Sequence, residues 1–151
     1  MRSPWTADER RAWMRELSLA GYGDLEARWT ATQIAVPHRV LRGPEVGLIA
    51  VRGRVDATGP AFTLGDMTIT RCEVELGSGE RGVGVVAGRN RQHAFIAALC
   101  DALLQATGVA SLVASAVIEP LRESRLGRRR AVAANAASTR VATLETALEG
   151  R

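Results

Sequence analysis

The stretch "GRNRQH" at residues 88–93 gathers the groups in this chain best suited to hold an anion. Arg89 and Arg91 carry planar guanidinium forks that can grip a phosphate or a carboxylate with two parallel hydrogen bonds. Asn90 is a good helix N-cap, which puts Arg91, Gln92 and His93 in a first helical turn. Gly88 gives the backbone freedom to swing from strand into helix. The free N–H groups of such a turn favour an anion. An arginine there opposes the helix dipole by about a few tenths of a kcal/mol, a small conflict that an anion would relieve. The same six residues also make an ordinary solvated start to a core helix. On the motif alone that second reading weighs more.

Other chemistry is thinner. His93 could act as a base or a ligand, but at about 1.5 Å rise per residue Cys100 and Asp101 sit roughly 10 Å or more further along the helix. A hydrogen bond at an interface is the expected role of His93. His38, Cys72, His93 and Cys100 contain no local ligand pair, so no metal site is expected. No nucleophile–base pair or carboxylate pair emerges, so no catalytic residue and no cofactor are assigned. All 20 basic residues are arginine, which excludes a Schiff-base lysine and a Walker-type phosphate-loop lysine. The run "RLGRRR" at 125–130 suggests nucleic acid, yet Trp5, Trp13, Tyr22, Trp29, Phe62 and Phe95 all precede it. Without a stacking platform beside the charge, a solvated face or a protein-docking surface is the better reading.

The charge is uneven. Residues 1–87 hold 11 Arg against 11 acids, and residues 88–151 hold nine Arg against five. The excess therefore lies downstream of Gly88, where it attracts phosphates or acidic partner surfaces. With 151 residues the chain is expected to form one domain, residues 1–151, burying about 70% of its unfolded surface without staples. No run of 18 apolar residues is present, so no membrane span is expected. Two cysteines and an N-terminal stretch without an apolar signal core fit a cytoplasmic location.

These groups must be positioned by an α+β framework. Thr6 and Glu9 have capping-box spacing, with Trp13, Leu17 and Ala20 following at helical intervals. Asp24 can cap a second short helix carrying Leu25 and Trp29, completing an N-terminal helical hairpin. Val36–Leu41, Gly47–Val55, Met67–Leu76 and Arg81–Ala87 are short β-branched runs, which predict an antiparallel sheet of about four strands. In "MTITRCEVEL" Thr68, Thr70, Cys72, Val74 and Leu76 share one face, and "GSGE" at 77–80 reads as a hairpin loop. Helical periodicity then returns with Phe95, Leu99 and Leu103 in one stripe. A shorter segment should break at Pro120. The end, "STRVATLETAL", is ambiguous between helix and strand. The alanine-rich stretch 131–137, with Ala133 and Ala136, should lie at a partner interface, because small side chains let another backbone approach.

The order of these pieces resembles the PhnG family, a subunit of the bacterial carbon–phosphorus lyase machinery. The resemblance runs through Arg10-Arg11-Ala12-Trp13-Met14, Glu45-Val46-Gly47-Leu48, Phe62, Gly65-Asp66, Thr68 and Thr70-Arg71. It is densest in Gly88-Arg89, Gln92-His93-Ala94, Ala98-Leu99 and Asp101-Ala102-Leu103, and ends with Pro120-Leu121, Arg125 and Thr139-Arg140-Val141. It implies partners of the PhnH, PhnI, PhnJ and PhnL kinds. With them such a chain supports transfer of the ribose triphosphate of ATP onto an alkylphosphonate, with adenine leaving. It also implies that Gly88–His93 is a functional contact with substrate phosphate or a partner, and that Thr139, Arg140 and Val141 dock on a partner. In this chain Ala142, Thr143 and Leu144 follow, where the family usually places aromatics. The alternative is a free-standing anion- or nucleic-acid-binding module.

Overall fold

The computed structural model describes residues 5–56 and 58–149, with side chains as far as residue 138. Helix α1, Ala7–Leu19, opens on the capping box. Thr6 Oγ1 accepts from the Glu9 N–H at 3.2 Å, and Glu9 Oε2 accepts from the Thr6 N–H at 2.7 Å. The helix buries Trp13, Glu16 and Leu17, a face of i, i+3, i+4 spacing. Helix α2, Tyr22–Thr32, starts three residues earlier than the Asp24 cap implies. Gly21 is the N-cap, and Asp24 lies inside the first turn, paired with Arg28 one turn on at 2.8 Å. An acid in that turn complements the helix dipole as well as a cap would.

Among the described residues the sheet has three strands, where about four were expected, in the antiparallel order β1-β2-β3: β1 His38–Gly53, β2 Phe62–Leu76 and β3 Arg81–Ala87. Val36–Leu41 and Gly47–Val55 belong largely to one long strand. The Gly-Pro pair between them, a turn signal in the sequence, is absorbed as a bulge: the register against β2 shifts between Val40 and Arg42 and again between Arg42 and Glu45. Gly43 has φ 74° there, and a Cβ on it would stand 2.5 Å from the Arg71 carbonyl. On β2 the expected face holds, with Thr70, Cys72, Val74 and Leu76 buried.

Helix α3, Arg91–Gln105, is the centre of the molecule. From His93 to Leu104 every residue except Phe95 is buried. β3 lies directly against it because Gly82 and Gly84 carry no side chain. A Cβ on Gly82 would come within 2.0 Å of the Ala98 carbonyl, and one on Gly84 within 2.0 Å of the Ala94 carbonyl. The facing residues are Ala94, Ala98 and Ala102, one small residue per helical turn. Helices α1 and α2 also pack against α3.

The chain does not break at Pro120. Helix α4, Ala110–Val113, leads through a π-helical turn, Ala114–Ile118, into helix α5, Glu119–Glu149. The Glu119 N–H reaches back five residues to the Ala114 carbonyl. This wider turn stands just ahead of a residue that has no N–H to donate and a ring that crowds the preceding turn. The ambiguous end of the chain is helical through residue 149. Leu121 is buried, and from residue 126 to 138 every side chain of α5 is exposed.

Candidate functional site

The turn at 88–93 is built as the sequence suggests, and it divides its residues into two groups. Gly88 has φ 87°, a left-handed value that glycine adopts without strain. Its N–H donates to the Thr68 carbonyl at 2.8 Å, and its carbonyl accepts from Thr70 Oγ1 at 2.7 Å. Both backbone polar groups of Gly88 are thus pinned to β2. Asn90 is the N-cap, with Oδ1 accepting from the His93 N–H at 2.9 Å. Arg89, Arg91 and Gln92 are exposed, and neither arginine has a hydrogen bond or ion pair among the described residues. His93 points the other way. It is buried, donates from Nε2 to the Leu17 carbonyl at 2.9 Å, and lies beside the Tyr22 ring with centroids 6.1 Å apart. It ties α3 to the end of α1 and the start of α2.

A second constellation gathers around Asp101, which sequence reasoning did not single out as a site. The side chain of Asp101 is fully buried and accepts four hydrogen bonds. Oδ1 takes Arg10 Nε at 3.1 Å and Trp13 Nε1 at 2.8 Å. Oδ2 takes Arg10 Nη2 at 2.7 Å and the Val83 N–H at 2.9 Å. The signal was present: a carboxylate inside "AALCDALL" must be paired if that helix is buried. The same group finishes the outer edge of β3. Asp101 takes the Val83 N–H, Ser18 Oγ donates to the Val85 carbonyl at 2.8 Å, and Gln105 Nε2 donates to the Arg81 carbonyl at 2.8 Å. Nearby, Cys100 is buried, and burial first, then the Asp101 charge, push its thiol up to about 12. It stays protonated and unreactive at neutral pH. Among the described residues no group of three or more His, Cys, Asp or Glu could hold a metal ion.

Two exposed surfaces complete the picture. Past the Ile69–Ala87 pair β3 has ended, and β1 and β2 continue as a two-stranded arm. Leu48 pairs with Thr68 and Ile49 with Met67, so apolar side chains stand on both faces of the ribbon. Leu48 is 68% exposed and Leu64 is 63% exposed, with Ile49, Phe62 and Met67 also open to water. At the other end, α1 and α5 bound a groove of about 570 Å³ lined by Arg15, Leu19, Arg125, Arg128, Arg129, Val132, Ala133 and Ala136. Ala133 and Ala136, expected at an interface, therefore share a surface with three arginines of α5. The side chains of Thr139, Arg140 and Val141 lie outside the described residues.

The model of a family described as phosphonate metabolism protein PhnG matches residues 8–144. A protein of Rhizobium meliloti (strain 1021), named alpha-D-ribose 1-methylphosphonate 5-triphosphate synthase subunit PhnG, is 37% identical over 137 residues, covering 88% of this chain and 85% of its own. Among the described residues no helix is long and apolar enough to cross a membrane.

Proposed function

The chain belongs to the PhnG family of phosphonate metabolism proteins, and from that premise we propose that it is a positioning subunit of a synthase that moves the ribose triphosphate of ATP onto an alkylphosphonate, releasing adenine. Its partners are PhnH-, PhnI-, PhnJ- and PhnL-like subunits, and the bond-making groups come from them. The observation that carries this reading is the apolar arm of β1 and β2. A two-stranded ribbon is marginal in water by itself. Side chains such as Leu48 and Leu64 on such a ribbon are explained if another subunit covers them. Arg89 and Arg91 are then outward contacts, to substrate phosphate or to a partner carboxylate. Pinning of Gly88 and capping by Asn90 hold them in place, while His93 fixes the turn from inside.

Co-expression with the four candidate partners, followed by native mass measurement, tests the reading. The wild-type chain should enter a hetero-oligomer, and Leu48→Glu with Leu64→Glu should stay out of it. The isolated chain should release no adenine from ATP and methylphosphonate. Turnover by the chain alone, or a wild-type chain that remains single among its partners, refutes the proposal.

A further inference from the structure

The groove between α1 and α5 has a floor and a rim of different chemistry. On α5, residues 121, 125, 128, 129, 132, 133 and 136 recur at intervals that keep one helix face. At its start that face belongs to the core, where Leu121 is buried and Arg125 clasps the buried Glu16 through Nε at 2.7 Å and Nη2 at 2.8 Å. Further on the same face runs out into water: Val132 is 69% exposed and Leu19, on the opposite wall, is 54% exposed. Arg15, Arg128 and Arg129 stand around this apolar floor without an acidic partner among the described residues. Glu16 of α1 is already held by Arg125.

We propose that this groove docks an acidic amphipathic helix of a partner subunit. The inference rests on the subunit reading above and adds the chemistry of the contact. The floor wants apolar side chains, and the rim wants carboxylates. A free triphosphate would satisfy the rim and leave Leu19, Val132, Ala133 and Ala136 in water. Both walls are helices whose backbone groups are internally bonded, so an added strand finds no ladder to join. A helix arrives with its own backbone satisfied. Residues 125 to 136 span about 16 Å, room for three turns of such a helix, and the two alanines allow it to lie close. Opposite charges at the rim select the partner, and the apolar floor holds it.

The test uses the complex formed by co-expression, with a photo-crosslinking residue in place of Ala136. The expected product joins this chain to another subunit, through a peptide that carries carboxylates at three- and four-residue spacing. Arg128→Glu with Arg129→Glu should cut that product by about tenfold, with an unchanged melting temperature, since neither side chain is bonded among the described residues. Reversing the acids of the mapped peptide should restore it. A crosslink to a second copy of this chain, a captured peptide lacking acids, or no crosslink in an intact complex overturns the groove assignment and leaves the subunit reading standing. So does binding of inorganic triphosphate to the isolated chain that disappears in the double variant. A wild-type chain that never enters the complex overturns both.

Discussion

Asp101→Asn keeps the volume of the side chain and takes away half of what it does. In the wild type each carboxylate oxygen receives two N–H groups, Arg10 Nε with Trp13 Nε1 on one and Arg10 Nη2 with the Val83 N–H on the other. An asparagine must turn its NH2 toward one of those pairs, so two donors face a donor whichever way it flips. Two hydrogen bonds to a charged group are worth about 3–6 kcal/mol in total. The Arg10 side chain is 37% exposed and can partly turn to water, which favours the lower end, about 3–4 kcal/mol. For a domain of this size that lowers the melting temperature by about 6–16 °C. Trp13→Phe removes one donor and leaves the carboxylate three partners, so it should cost about 1–2 kcal/mol. Thermal melts followed by circular dichroism measure both. An Asp101→Asn protein melting within about 2 °C of wild type would refute the claim that this carboxylate holds α1, β3 and α3 together.

Gly84→Ala drives a methyl group into the Ala94 carbonyl and should cost about 3 kcal/mol. Gly127→Ala, in α5 with open space around it, should stabilise by up to about 1 kcal/mol; equal melting temperatures for the two variants would contradict the close approach of β3 to α3. His93→Ala should lower the melting temperature through loss of the Leu17 bond and its packing, whereas Arg89→Ala should leave it unchanged and act only on assembly or turnover. Burial raises both thiols, Cys100 to about 12 against an ordinary value near 9. An unfolded thiol ionises first, so its stabilising contribution is whole below about pH 9 and falls as pH rises toward 12, by about 1.4 kcal/mol per unit for a fully shifted group. Urea titrations between about pH 8 and pH 11 should show this decline, and Cys100→Ala should flatten it; an equal slope in the variant would count against the buried thiol.

What the sequence made legible was mostly local. Thr6 and Glu9 announce a helix start because both partners of the capping box lie within one turn. The alternation in "MTITRCEVEL" announces a strand with one dry face because strand geometry repeats every two residues. Asn90 was readable as a cap for the same reason. The errors came where distant residues decide. Gly43-Pro44 looks like a turn, but pairing with β2 on both sides carries the strand through it as a bulge. Pro120 looks like a stop, but a π-turn supplied by the preceding residues lets the helix pass. Strand β3 was legible, but its close approach to α3 depends on Gly82 and Gly84 meeting Ala94, Ala98 and Ala102, which no local pattern marks. His93 reads as part of an outward cluster, and only the position of Leu17 shows which way it turns.

The two outer edges of the sheet are finished differently, and that difference governs how this chain can be made. Side chains of α1 and α3 close the edge of β3, while among the described residues β1, sixteen residues long, has a strand, β2, on one side only. An open edge of that length, next to water-exposed leucines, is a template for any strand that meets it first. A copy released before its partners are present meets other copies of itself. Synthesis of this chain in excess of its partners is therefore expected to raise the aggregated fraction, and co-expression to lower it. In the proposed complex, early encounter with a partner would do the work that charged or shortened edge strands do in proteins meant to live alone.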